Sequence, residues 1–538
     1  MGRFLVFVVL ALFVSAASAL NIVVISVPFY GHFMPLKAVA ERLVARGHTV
    51  TVVVEDATWC DGPIPLKCET VPKSGSYSAE LFQRVSDMED LVLTWQPIVE
   101  EHDNHHKTQL GNFLDVVGSK VLRVDPTSGK PTVHVDAILM DATTLVGYGV
   151  AAKYDLPVVA VNPILQRSAP VSDLWLPHLG TTHPRHQSYP QRLVNAIISL
   201  VIPYIAHNIF IVKADIVREN SGLRHFRSMA EAGGIDTLLL SPTIWGYDIP
   251  QAIPPNMVPL GLLIPEHDDF PMEDDLASFL ASDHCKVAGA LYVNFGTLAM
   301  PGDVLIEKLL KVFIEKSKVC VVWKIKDDTK RLKVLDRVKA ASVEKRFYMT
   351  RRFASPVAIM RHDAVGAFIT HCGDTSLGEA IHSNVPTIGL PFFADQGDVC
   401  MRLDECGIGK CLGHKHRFTE ELLITAIDAI WANRTFTEPR ENQVDRSTFL
   451  RSLQRVRQMA NYSGGAERGA ELVEAFVGKK VLRANEPFPL TPVYFGMPLF
   501  WRWIQFQYGP AVASWTVVSL FGITLVTKVL RKVFTSAA

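Results

Sequence analysis

Neither sign of charge is in excess in this sequence: Lys and Arg number 54 together, and so do Asp and Glu. Such a balance leaves no electrostatic footprint for nucleic acid, and no nucleic-acid partner is expected. Cysteine is scarce, with eight in 538 residues. That is too few for a disulfide framework, although Cys60 and Cys68 could pair in an oxidising compartment. Short-period repeats and low-complexity tracts are also missing. What the chain does have is apolar residues, 48% of the total, enough for large buried cores and against global disorder. The length exceeds one core and suits two domains of roughly 200 to 250 residues.

Charge is missing locally at both ends. Arg3 precedes an apolar run over 4–14, and Ala17-Ser18-Ala19 offers a small-x-small cleavage site. Residues 1–19 therefore read as a secretory signal peptide. Residues 503–527 contain no charged side chain, Trp501, Trp503 and Tyr508 crowd their entry side, and Lys528, Arg531 and Lys532 follow. Such a stretch is long enough to cross a bilayer, with 528–538 as a cytosolic tail. The expectation is a single-pass membrane protein with its body in the lumen of the endoplasmic reticulum or secretory pathway. A second uncharged stretch, 193–212, holds Asn195, Pro203, His207 and Asn208. Those are costly in lipid, so it reads as a buried or membrane-touching helix.

Between the ends, "NIVVISV" (21–27), a helix from Pro35 stopped by Gly47, and "HTVTVVVED" (48–56) make a βαβ unit, the building block of a parallel sheet. Strands at 135–140 and 157–163 continue it. Residues 249–275 hold six prolines and the acidic "EHDDFPMEDD" and read as a linker. The α/β rhythm then restarts with strands at 290–296, 319–325, 364–370 and 385–390. The expected architecture is two α/β domains, 20–248 and 276–500, facing across a cleft.

"FITHCGDTSLGEAIHSNVPTIGLPFFADQ" (368–396) packs polar groups between two of these apolar strands. Ligands of open α/β sheets bind beyond the carboxyl ends of the strands, where helix N-termini favour a phosphate. His371 follows one strand, Asp374, Thr375 and Ser376 open the next helix, and Asp395-Gln396 follow the next strand. Ser376-x-x-Glu379 is also a capping box, which needs no ligand. Capping explains neither His371 nor the Asp-Gln pair.

His371-Cys372-Gly373-x-x-Ser376-x-x-Glu379, Val385-Pro386, Pro391 and Asp395-Gln396 together resemble the donor motif of the UDP-glycosyltransferase family. "YVNFGT" (292–297) resembles that family's phosphate-contacting loop. The resemblance implies a GT-B fold, with the acceptor held by the N-terminal domain and a UDP-sugar by the C-terminal one. It implies that His371 and Ser376 contact the diphosphate with Gly296, Thr297 and Gly373, that Glu379 binds the ribose, and that Asp395 and Gln396 bind the sugar. Where the family has a Trp and, three residues on, a Gln around the base, this chain has Phe353 and Pro356. Phe353 offers a stacking face, but Pro356 has no backbone N–H.

Sugar transfer needs a base for the acceptor hydroxyl, and histidine suits that task near neutral pH. "PFYGHFMPL" sets His32 in the loop ahead of the first helix, whose N-terminus disfavours imidazolium. Asp141 ends another strand on the same side of the sheet and can fix the ring's tautomer. Both positions match the family's catalytic pair. The expected reaction is inverting transfer of a hexosyl group to a small lipophilic acceptor. No Asp-x-Asp occurs, so no metal or other cofactor is expected, and "EHDNHH" (101–106) reads as a solvated loop. Asn433 and Asn461 begin glycosylation sequons. Other readings are an inactive nucleotide-sugar-binding membrane protein and a nucleotide-sugar epimerase of the same fold.

Overall fold

The computed structural model describes residues 19–481 apart from 90–93, 163–176, 178–182, 196–210, 227–230, 232–236, 250–252, 254, 266–271, 317, 353–354 and 480. Residues 1–18 of the expected signal peptide, the expected anchor at 503–527, the expected tail at 528–538 and most of 193–212 lie outside the described residues. Among the described residues, no helix is long and apolar enough to cross a membrane.

Two parallel sheets carry the chain. The first runs in the order β3-β2-β1-β4-β5-β6-β7. Its strands are β1 (Asn21–Ile25), β2 (Thr49–Val54), β3 (Lys67–Thr70), β4 (Ala137–Asp141), β5 (Val158–Val161), β6 (Leu238–Ser241) and β7 (Met257–Pro259). The second runs β10-β9-β8-β11-β12-β13. Its strands are β8 (Ala290–Asn294), β9 (Cys320–Lys324), β10 (Phe347–Thr350), β11 (Val365–Thr370), β12 (Thr387–Gly389) and β13 (Gly409–Cys411). Five helices matter below: α1 (Tyr30–Ala45), α2 (Trp95–Val116), α3 (Asp374–His382), α4 (Gln396–Glu405) and α5 (Gly465–Val473).

The unbroken apolar run of β1 has a simple cause. Ile22 and Val24 belong to one core cluster and Val23 and Ile25 to another, so both faces of the sheet are covered. β8 repeats this, with Leu291 and Val293 on one side and Ala290 and Tyr292 on the other. Strands buried on both faces read as continuous hydrophobic runs, as parallel strands do.

Three features depart from the sequence reading. The expected linker over 249–275 supplies β7, paired with β6 as the sheet's edge, because three residues of main chain suffice for an edge strand whatever prolines surround them. The chain also returns: Ala470, Leu472 and Val473 of α5 pack with Leu20, Ile22 and Val39 of the N-terminal unit. Finally, six of the eight cysteines form disulfides, Cys60–Cys68, Cys285–Cys320 and Cys400–Cys411. Two of these pairs are joined only by tertiary packing, which spacing alone did not reveal.

The returning helix is clamped by charge. Arg46 Nε and Nη2 donate to the Glu474 carboxylate at 2.8 and 2.6 Å, and His48 Nε2 lies 2.7 Å from it. The Arg46 hydrogen bond, followed by those of His48 and the two charges, holds the Glu474 carboxyl down at about 2, from 4.5. A depressed carboxyl stabilises the fold above its unfolded pKa and loses that contribution as pH falls through the folded value. Hydrogen exchange in 465–478 should therefore accelerate between about pH 4.5 and 2 before the sheets open. Glu474→Gln should remove the pH dependence, and equal exchange in both proteins would refute the clamp.

Candidate active site

β1 and β4 end side by side, and each hands the chain to a helix. α1 begins at Tyr30, so His32 sits in its first turn instead of in the expected loop. Pro35 lies inside α1 and removes the amide that would ordinarily donate to the Gly31 carbonyl. The Thr375 hydroxyl, from the first turn of α3 in the other unit, donates to that carbonyl at 2.9 Å. A missing helix bond in one unit is thus met by a side chain of the other, next to His32. Further bonds join the units, among them Ala394 N to Thr94 Oγ1, Met300 N to Ser86 Oγ, and Tyr247 Oη to the Val399 carbonyl.

Asp141, the last residue of β4, is fully buried, and its Oδ2 lies 2.8 Å from His32 Nδ1. Its Oδ1 accepts from Thr143 N at 2.7 Å and from the Thr143 hydroxyl. A carboxylate held this way takes the Nδ1–H of His32 and leaves Nε2 as the basic nitrogen. Burial presses the His32 pKa down, but the Asp141 charge and hydrogen bond, with Asp395, outweigh it and raise the ring above 6.5. This corrects the expectation that the helix N-terminus keeps His32 neutral: a buried carboxylate in contact outweighs a partial charge one turn away.

The donor motif gathers opposite. Gly296, Thr297, His371, Gly373, Ser376, Glu379, Asp395 and Gln396 line the same cavity of about 290 Å³ as His32. α3 is capped by Gly373 with no side-chain cap bond. Ser376 and Glu379 are therefore not a capping box, and the first amides of α3 face the cleft. The His371 ring fills the space between two glycines. A Cβ at Gly296, whose φ is +73°, would lie 2.5 Å from the ring's Cε1, and one at Gly373 would lie 2.6 Å from Nε2. Burial, then the charges of Lys324 and Lys326, push His371 down to about 3. Burial lifts Glu379 to about 7 against the pull of Lys324. Gln396 is half committed, because its Oε1 accepts from Phe392 N and Phe393 N at 2.9 and 3.1 Å. Only its amino group is left for a ligand. Phe353 lies outside the described residues, and Pro356 lines the cavity as the first residue of a short helix capped by Ser355.

The other end of the cleft is apolar. Phe29, Phe82, Ile98 and Val99 from the N-terminal unit meet Phe393 from the C-terminal one.

The family model described as "UDP-glucoronosyl and UDP-glucosyl transferase" matches residues 21–449. The chain belongs to this UDP-glycosyltransferase family and is a glycosyltransferase. UDP-glycosyltransferase UGT4 of Dactylopius coccus is 26% identical over 454 residues, covering 80% of this chain and 83% of the relative. UDP-glucuronosyltransferase 2A3 of Pongo abelii is 24% identical over 477 residues, covering 81% and 82%. Among solved structures, Os79 of O. sativa in complex with U2F and trichothecene aligns with a TM-score of 0.56 at 15% identity, over 84% of this chain and all of that one. The fold is α/β GT-B.

Several residues of this glycosyltransferase's cleft escaped the sequence reading. "EHDNHH" is not a solvated loop but part of α2, and His102 lines the cleft. His102 Nε2 donates to the Thr143 carbonyl at 2.7 Å, and Tyr77 Oη lies 2.6 Å from its Nδ1. Burial, with the charge of His105, lowers it to about 4. His105 Nε2 in turn meets Glu55 at 3.0 Å. His102 thus steadies the residue that holds Asp141. Its i, i+3 spacing to His105 was the available signal. Among the described residues, no group of three His, Cys, Asp or Glu is placed to hold a metal. Asn433 and Asn461 are both exposed.

Thr375→Val should leave the Gly31 carbonyl without its donor from the other unit, at a cost of about 1 to 3 kcal/mol to the closed arrangement. Turnover should fall by about tenfold or more, while UDP affinity by calorimetry stays within about threefold, since the α3 amides remain. Unchanged turnover would show that the bond does not position His32.

Proposed function

We propose that the protein transfers a hexosyl group from a UDP-sugar to a hydroxyl of a small lipophilic acceptor, inverting the anomeric carbon and using no metal. The observation that carries this reading is the His32–Asp141 pair at 2.8 Å, opening on the cavity that Gly296, His371, Ser376 and Glu379 also line. The acceptor lies against Phe29, Phe82, Ile98 and Phe393, its hydroxyl toward His32. His32 Nε2 takes the hydroxyl proton as the oxygen attacks the anomeric carbon from the face opposite the diphosphate. The C–O bond to the diphosphate breaks, and UDP leaves. Asp141 holds the ring and stabilises the imidazolium that forms.

At the donor end, the α3 amides, the Ser376 hydroxyl and His371 Nε2–H take the diphosphate. That nitrogen is the donor when the Thr370 hydroxyl, 3.2 Å away, donates to Nδ1. Gly296, Thr297 and Gly373 let the phosphates approach closely. Glu379 accepts from the ribose hydroxyls, and Asp395 with the Gln396 amino group meets the hydroxyls of a neutral hexose. The names of the relatives, UDP-glycosyl- and UDP-glucuronosyltransferases, support the donor class. An inactive binding protein has no use for a buried carboxylate that fixes a base's tautomer, and an epimerase has none for an apolar acceptor wall.

We infer that the body of the protein lies in the lumen of the endoplasmic reticulum or secretory pathway, a reading that rests on the sequence of 1–19 as a signal peptide and of 503–527 as an anchor. Three disulfides and two exposed sequon asparagines, Asn433 and Asn461, suit an oxidising, glycosylating compartment. Truncation before Trp501 should release a soluble, glycosylated protein, and a product that still fractionates with membranes would count against the single anchor.

His32→Ala should lower turnover by more than about a hundredfold with UDP binding intact. Because the His32 pKa is raised, kcat/KM should climb through an ionisation above 6.5 and be lost as pH falls through it. Asp141→Asn should be severe, and its residual activity should titrate lower, since the raising charge is gone. The double mutant should be little worse than the worse single. UDP release with an acceptor panel measures all of these, and near-normal turnover in His32→Ala would refute the base.

A further inference from the structure

The donor end of the cleft is short of positive charge. Three carboxylates line the cleft, Asp374, Glu379 and Asp395, against one lysine, Lys324, and no arginine among the described residues. A nucleoside diphosphate brings more negative charge into this space. His371 is held neutral by burial and by Lys324 and Lys326, and the amides of α3 supply about half a unit charge. Lys324 is the last residue of β9, and its Nζ donates to the Gly296 carbonyl at 3.3 Å. Two residues on, Lys326 Nζ donates to the Thr297 carbonyl. The two lysines thus grip consecutive carbonyls of the loop after β8. An ammonium has three N–H donors, and the Gly296 carbonyl takes one of Lys324's.

We propose that Lys324 binds the diphosphate of the nucleotide sugar, supplying the positive charge that the rest of the cleft lacks. The inference rests on the donor-site reading above. It has a consequence for protons. Burial, then Lys326 beyond its own strand and Arg352 from the loop after β10, lower Lys324 to about 8, against Glu379 of α3. A diphosphate in contact favours the charged ammonium, so binding near pH 8.5 takes up a proton. At that pH Glu379, lifted to about 7, is ionised, and His371 is neutral. His32 faces the cleft from the other unit and is unchanged by substitution at 324.

The test is calorimetry of UDP and of uridine on the full-length protein at pH 8.5, in two buffers of different ionisation enthalpy. Lys324→Met should weaken UDP by about tenfold to a hundredfold, leave uridine within about threefold, and abolish proton uptake. Lys324→Arg should keep UDP within about tenfold yet also show no uptake, because a guanidinium never deprotonates. Equal losses for UDP and uridine would reduce Lys324 to a brace for the loop and overturn the proposal. Should Lys324→Met fail to fold, the arginine variant decides: proton uptake persisting in it overturns the proposal. Wild-type protein that binds no UDP would overturn the donor-site reading itself.

Discussion

A parallel strand can end only by handing its chain to a crossover, and the helix that follows starts with amides that have no partners. This molecule does so twice, in two sheets whose carboxyl ends face each other. β1 and β4 deliver His32 and Asp141 from one side; β8 and β11 deliver Gly296 and His371 from the other. The cleft depends on that confrontation, because neither unit alone brings the His32–Asp141 pair and the donor motif to one cavity.

Polar bonds of modest individual strength span the confrontation, beside a buried apolar cluster in which Phe29, Phe82 and Val85 meet Phe295 and Phe393. Pro35 denies Gly31 a helical donor, and Thr375 supplies one from across the cleft. Thr94, Ser86 and Tyr247 make similar single bonds between the units. Each is worth about 1 kcal/mol net, which suits a cleft that must admit substrates and release UDP. α5 adds an apolar joint, with Val39 and Leu260 packed near Gly469.

Burial sets the electrostatics of the site more than any single charge does. It pushes His371, His102 and Lys324 toward their neutral forms and Glu379 toward protonation. His32 escapes only because Asp141 touches it. The result is one group able to take a proton, set among neutral donors.

The strands read from the sequence are those covered on both faces, such as "NIVVI" and "VGAFIT", where burial demands apolar residues at every position. β3, β6, β7, β10 and β13 were not read. Four of the five are sheet edges, and an edge strand such as Lys67–Thr70 needs no apolar run; β6 is interior, and its apolar run of only three leucines before Ser241 is too short to stand out. The donor motif was legible because it is contiguous: His371 through Gln396 lie on one strand–helix–strand passage. His32 and Asp141 were legible as strand-end residues, but not the sign of the shift on His32, which comes from a contact 109 positions away. Lys324, Thr375, His102 and the two longer-range disulfides belong to no local pattern. By itself the sequence determined the α/β class and the residues at the carboxyl ends of the strands, since periodicity and motif act along the chain. Tertiary structure alone decided which of those residues meet, which are neutral and where the missing charge is supplied, since desolvation and contact act across space.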